Sequence, residues 1–145
     1  MDRTNSMGLW TYAKEFLDAA KAVAPDQPAF APGPAYYLVC HSIELALKAF
    51  LRGAGESLSG LKAIGHDLEL CIKKAEEKGI SRYHGFTQEQ KAAIALINGY
   101  YSAKELEYIT TGFKRFPEYG FLEATAAGLL GSIKVFCQDS RRIHE

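Results

Sequence analysis

Residues 36–55 read YYLVCHSIELALKAFLRGAG, and this stretch decides the fold. Its apolar residues recur at three- and four-residue steps, so they share one face when the chain turns about 100° per residue. Glycines follow at positions 53 and 55, as is typical of a helix C-terminus. The pattern predicts a helix over residues 35–52, apolar on most sides and therefore central in a bundle. The predicted core face holds Val39, Ile43, Ala46, Leu47 and Phe50.

A narrow polar stripe lies opposite that core face and consists of Tyr37, His41, Glu44 and Lys48. Glu44 precedes Lys48 by four residues, the favourable order for a helical ion pair. His41 lies three residues before Glu44, within hydrogen-bonding reach on the same face. One interpretation is a buried polar seam against another helix or subunit. The other is a small acid–base or anion-binding cluster, because a histidine beside a carboxylate can exchange protons near neutral pH.

Four other segments carry helical patterns, and their boundaries follow from capping residues, glycines and prolines. They are residues 6–23, 66–79, 87–101 and 121–142. The segments APDQPAFAPGP (24–34), GAGESLSGLKAIG (53–65) and YITTGFKRFPEYG (108–120) are predicted as loops. Residues 1–145 are therefore predicted to form one all-α domain, an up-and-down bundle of four to five helices.

Charge and composition limit the possible functions. The chain has 17 Lys plus Arg and 17 Asp plus Glu, a formal net charge of +0, so overall charge does not draw it to nucleic acid or anionic lipid. Charges interrupt the apolar stretches, which predicts no membrane span, and no secretory signal is evident, so we expect a cytoplasmic protein. The three cysteines, Cys40, Cys71 and Cys137, are expected to be buried reduced thiols.

Two motifs together resemble the paired signature of HEPN domains, the nucleotide-binding family of higher eukaryotes and prokaryotes. They are AYYLVCHSIELALKAFLRGAG (35–55), with its E-L-A-L-K core, and GHDLELCIKKAEEKG (65–79), which opens on G-H-D-L. The resemblance implies a HEPN-like helical bundle, commonly a homodimer. Many family members are ribonucleases, often toxins with a nucleotidyltransferase-type protein partner; others bind RNA, nucleotides or proteins without catalysis.

The chain departs from the ribonuclease members of that family. Those enzymes carry an Arg followed by a His about four to six residues later on a late helix. Here Arg141 and His144 are three residues apart, and Arg82 and His84 are two apart. We therefore expect a non-catalytic module that binds a nucleotide, RNA or a protein partner. A divergent RNA- or nucleotide-directed enzyme and a structural dimeric subunit remain the alternatives.

Two further groups are candidate binding residues. His66 and Asp67 belong to G-H-D-L, where Asp67 is predicted to cap a helix and His66 either to pack at its start or to bind a ligand. Lys114 and Arg115 lie among aromatic residues that include Tyr119, a pattern that can hold a phosphate and stack a base. The other interpretation is a loop whose aromatics anchor to the core. No metal-ligand spacing or cofactor motif is found, so no metal and no cofactor are expected.

Overall fold

The computed structural model describes residues 4–26, 33–103 and 116–143, and within them the chain forms six α-helices, two 3-10 turns and no β-strand. The all-α prediction is confirmed. The helices are α1 (Ser6–Val23), α2 (Pro34–Gly53), α3 (Leu58–Ile64), α4 (Leu68–Glu77), α5 (Gln88–Tyr101) and α6 (Tyr119–Ile143), with 3-10 turns at Ala24–Asp26 and Ile80–Arg82.

Capping side chains begin the helices where the sequence predicts. Asp67 caps α4, and its carboxylate accepts a hydrogen bond from the Leu70 amide at 3.1 Å. Thr87 and Gln90 form a capping box at the start of α5, each side chain accepting a hydrogen bond from the other's backbone amide at 3.0 Å. Both predictions are confirmed, and the cap at Asp67 fixes the position of the preceding turn.

The prediction that residues 53–65 form a loop is wrong, because this segment contains α3. Ser57 begins α3, and its hydroxyl accepts a hydrogen bond from the Gly60 amide at 3.0 Å. Leu61 and Ile64 lie three residues apart on one face of α3 and are buried. The segment's serines and glycines have low helix propensity, which hides a helix held by its cap and two apolar side chains.

The α2 helix is the centre of the bundle, as predicted, with α1 and α6 packed against it. All five residues of its predicted core face are at most 1% exposed. Polar side chains also join the helices: the Ser42 hydroxyl donates to the Ala13 carbonyl at 2.7 Å, and the Trp10 indole donates to the Leu130 carbonyl at 2.9 Å. These bonds fix α1 against both of its neighbours.

Among the described residues, one helical segment, Tyr119–Ser140 of α6, is long and apolar enough by length and composition to cross a membrane. The prediction that no stretch reaches this length is wrong for this helix. The core helix of a soluble protein can meet the same criteria of length and composition. Leu122, Leu129 and Ile133 of α6 lie in the core with 0% exposure.

The three cysteines are unpaired and buried, as predicted. Burial raises the pKa of the Cys71 thiol to about 12 and that of Cys137 to about 11, and it raises the pKa of Cys40 further. These thiols therefore stay protonated at neutral pH and are poor nucleophiles or metal ligands.

Candidate functional site

The carboxylate of Glu44 is the centre of a buried hydrogen-bond network, and the residue itself is only 3% exposed. Its Oε1 atom accepts hydrogen bonds from the Tyr101 hydroxyl at 2.6 Å and from the His66 Nδ1–H at 2.8 Å. Its Oε2 atom accepts one from the Lys48 ammonium at 2.9 Å. Donors from α2, from the turn before α4 and from the end of α5 therefore meet at one carboxylate.

The ammonium group of Lys48 also makes a hydrogen bond at the end of α3. It donates to the Gly65 carbonyl at 2.7 Å as well as to Glu44, and its side chain is 12% exposed. Gly65 has a φ of +64°, in the left-handed region that favours glycine. Gly65 adopts this conformation at the end of α3, where its carbonyl accepts the hydrogen bond from Lys48.

His41 reaches Glu44 through Tyr101 and not directly, which corrects the expected hydrogen bond between them. The His41 Nδ1 atom lies 3.9 Å from Glu44 Oε1 but 2.8 Å from the Tyr101 hydroxyl oxygen. The tyrosine's one hydrogen goes to the carboxylate, which can only accept, so the hydroxyl oxygen accepts from Nδ1–H of His41. The same logic places a hydrogen on Nδ1 of His66. The network thus places a hydrogen on Nδ1 of both imidazoles.

The four residues of G-H-D-L now have separate structural roles. The Gly65 carbonyl binds Lys48, the His66 imidazole binds Glu44, the Asp67 side chain caps α4, and Leu68 is fully buried in the core. The two sequence motifs are thus halves of one hydrogen-bonded unit, because Glu44 and Lys48 come from E-L-A-L-K. Glu44 and Lys48 of the predicted stripe thus lie in a polar network against the turn before α4, with His66 as its exposed member at 46% side-chain exposure.

Asn98 on α5 holds the start of α4 in place. Its Oδ1 accepts a hydrogen bond from the Leu68 amide at 2.7 Å, and its Nδ2 donates to Asp67 at 3.0 Å. Asn98 is 6% exposed and was not among the residues predicted from sequence. It satisfies a backbone donor in the first turn of α4, which no intrahelical acceptor can reach.

The electrostatics of the network favour an ionised, unreactive carboxylate. Burial alone would raise the pKa of Glu44, but the hydrogen bonds from Tyr101, His66 and Lys48 and the charge of Lys48 outweigh it and leave the pKa below its ordinary value. Burial, together with the charge of Glu44, raises the pKa of Tyr101 far above its ordinary value. At neutral pH the site therefore holds a carboxylate, an ammonium and a protonated phenol.

Aromatic rings surround His41 on the exposed side of the network. Tyr37 stacks on its imidazole with ring centroids 5.8 Å apart, and Phe16 meets it edge-on at 4.5 Å. Phe16 also lines a groove of about 260 Å³ between α1 and α2, which we call the α1–α2 groove. The groove therefore adjoins the network at His41. Its lining consists of Tyr12, Glu15, Phe16, Ala19 and Leu38.

The remaining three predicted candidates are Lys114, Arg115 and Tyr119. Lys114 and Arg115 fall outside the described residues, as does most of the predicted loop at 108–120. Tyr119 is 8% exposed and packs against Tyr36 with ring centroids 5.6 Å apart, away from the network. Phe116 is likewise 9% exposed. The burial of these two rings agrees with the interpretation that aromatics of this segment anchor to the core, although Tyr119 begins α6 and is not in a loop as predicted.

His41, Glu44 and His66 also form a group with metal-ligand chemistry among the residues that the structure describes. Each offers one ligand atom, and these atoms all lie within 4.8 Å of one another. No residue spacing in the sequence indicates this group, because its third member, His66, comes from a separate turn. Tyr101 was missed for the same reason, although a tyrosine on the apolar face of a helix indicates a buried hydroxyl that needs a partner.

Comparison of the chain with models of protein families, with curated proteins and with solved structures found no match in any of the three.

Proposed function

We propose that the chain is a non-catalytic, HEPN-like helical module that binds a nucleotide or an RNA strand where the α1–α2 groove meets His41. One observation carries the proposal: Phe16 both lines the groove and packs on the imidazole of His41. The groove, at about 260 Å³, is just smaller than typical ligand pockets, which begin near about 300 Å³. It suits a single stacked base, with the rest of the ligand over the surface.

The HEPN-like part of the proposal rests on the two sequence motifs. Their hydrogen-bonded pairing supports treating E-L-A-L-K and G-H-D-L as one unit. Binding is favoured over catalysis because Glu44 accepts three hydrogen bonds and is a weak base, while Tyr101 holds its proton. Lys48 is paired with Glu44, so the proposed phosphate contact comes from His66.

The test is fluorescence anisotropy with labelled single-stranded RNA and with nucleotides, at low salt and with EDTA present. Tyr12 lines the groove and is 43% exposed. Stacking contributes about 1–3 kcal/mol per base, so Tyr12→Ala should weaken binding roughly 5- to 150-fold. Tyr83, also 43% exposed, lies outside the groove, and Tyr83→Ala is the matched control. Equal binding by wild type and Tyr12→Ala, or no binding at all, would refute the proposal.

The second candidate function is RNA cleavage, and the two histidines favour it. The ring centroids of His41 and His66 are 6.4 Å apart, and both imidazoles are anchored through Nδ1. In such a pair a neutral imidazole can act as general base and a protonated one as general acid. Cleavage of labelled RNA by wild type, lost in His66→Ala, would support this function over simple binding.

We also propose a homodimer formed through α6. Its surface includes Phe121 and Val135, which are 38% and 65% exposed. Gly131, between them along α6, is exposed with nothing within 4 Å of where a Cβ would be, which would let a second helix approach closely. In light scattering after size exclusion, wild type should have twice the monomer mass and Val135→Lys the monomer mass. A monomeric wild type would rule the dimer out.

A nucleotidyltransferase-type protein partner, suggested by the HEPN resemblance, would be sought by co-purification with the product of an adjacent gene.

A further inference from the structure

We propose that His41, Glu44 and His66 form a binding site for a divalent transition metal, with Zn²⁺ the best fit. The site goes beyond nucleotide binding and does not depend on it. The observation behind it is the convergence of one ligand atom from each residue within 4.8 Å. Two imidazoles and one carboxylate are the protein ligands of many zinc sites that keep a fourth position for water.

The backbone places these ligands on rigid supports. His41 and Glu44 are three residues apart on α2, so their side chains leave the same face of one helix. His66 comes from the turn between α3 and α4, which is fixed on both sides by the Gly65–Lys48 hydrogen bond and the Asp67 cap. A metal ion would therefore join α2 to the start of α4, where hydrogen bonds already join them.

The two distances from the histidines to Glu44 need only small adjustments, and the ligand atoms of the two histidines lie within 4.8 Å of each other. Ligands about 2.0–2.1 Å from a tetrahedral zinc ion are about 3.3 Å from one another. The Nδ1 atom of His66 is 2.8 Å from Glu44 Oε1, and that of His41 is 3.9 Å from the same oxygen. Both separations differ from the tetrahedral value by about 0.5–0.6 Å, less than a change of side-chain rotamer. Coordination through Nδ1 moves each imidazole hydrogen to Nε2, so neutral histidines remain neutral.

Two neighbours shape the expected affinity. The Tyr101 hydroxyl lies 2.6 Å from Glu44 Oε1 and 2.8 Å from His41 Nδ1, so a metal ion on these atoms would replace the hydrogen bond from His41 to Tyr101. The Lys48 ammonium lies 2.9 Å from Glu44 Oε2 and opposes a second cation. We therefore expect reversible binding of an available ion and not a tightly held structural metal.

The experiment titrates the full chain, with its cysteines reduced, by calorimetry with ZnCl₂ and by visible absorption with CoCl₂, in the absence of nucleotide or RNA. One ion should bind per chain, and the cobalt spectrum should lack a thiolate charge-transfer band because all three cysteines are buried. His66→Ala should weaken binding at least about tenfold. This variant should fold, since the His66 side chain is 46% exposed.

His84→Ala is the matched control, because His84 bonds Ser132 and lies outside the metal group. It should bind as wild type does, while His41→Ala should lose affinity as His66→Ala does. No saturable binding by wild type, unchanged binding by His66→Ala, or a thiolate band in the cobalt spectrum would each overturn the proposal. Because no RNA is present here and EDTA is present in the nucleotide assay, either proposal can fail without the other.

Discussion

Replacing Lys48 tests whether the polar network is a buried unit. Lys48→Ala removes the ammonium that lies 2.9 Å from a carboxylate that is 3% exposed, and it leaves the Gly65 carbonyl without this donor. Breaking a buried pair costs about 3–5 kcal/mol. Tyr101 and His66 continue to donate to Glu44, so we expect the lower end, about 3 kcal/mol. For a chain of 145 residues this loss corresponds to a fall in Tm of about 6–12 °C.

The assay is thermal and urea unfolding followed by circular dichroism, with Lys14→Ala as the matched control. Lys14 pairs with Asp18, also four residues away on a helix, but these side chains are 45% and 55% exposed. An exposed pair contributes about 0.3–0.5 kcal/mol, so the control should unfold within a degree or two of wild type. The double variant Glu44→Gln with Lys48→Met should recover much of the loss, because it removes the isolated charge. A Lys48→Ala variant as stable as the control would refute the buried network.

Three further predictions concern the same network. The pKa of Glu44 is lowered in the folded protein, so its contribution to stability is present above its unfolded pKa near 4.5 and is lost as the pH falls below that value. In urea unfolding across this range, Glu44→Gln should lose less stability on acidification than wild type does. Tyr101→Phe should lower the free energy of unfolding by about 1–3 kcal/mol because it removes a buried donor, whereas Tyr83→Phe at an exposed ring should change it by less than about 0.5 kcal/mol. Asn98→Ala should lower the free energy of unfolding by about 1–3 kcal/mol and speed hydrogen exchange at the Leu68 amide, which loses its acceptor. Unchanged exchange would argue against the hydrogen bond from Leu68 to Asn98.

Much of the helical architecture could be predicted from local sequence. Apolar spacing located α2, and the capping residues Asp67 and Thr87 located the starts of α4 and α5. These signals act within one or two turns, so they are visible in a single chain. The α3 helix was missed because serine and glycine dominate its first turn, and its stability comes from packing Leu61 and Ile64.

The candidate site was only half predictable, for a different reason. The stripe on α2 was visible because helical geometry places His41, Glu44 and Lys48 on one face. Tyr101 was not, since it is 57 residues from Glu44 and their contact depends on how α5 packs. Asn98 carries no local signal of its role, because its side chain accepts a hydrogen bond from the first turn of another helix. Which donors meet a buried carboxylate is set by tertiary packing, and periodicity does not specify it.

The spacing of the Glu44 contacts along the chain has a consequence for the order of folding. Lys48 meets Gly65 across 17 residues and His66 meets Glu44 across 22, whereas Tyr101 must close a loop of 57 residues to reach the same oxygen. By chain entropy, the longer closure costs about 0.8 kcal/mol more than the 22-residue one. The segment from α2 to α4 is therefore expected to assemble first, with Glu44 bonded to Lys48 and His66. Tyr101 adds its hydrogen bond to the carboxylate when α5 packs. On this view variants at His66 slow refolding, while variants at Tyr101 mainly speed unfolding.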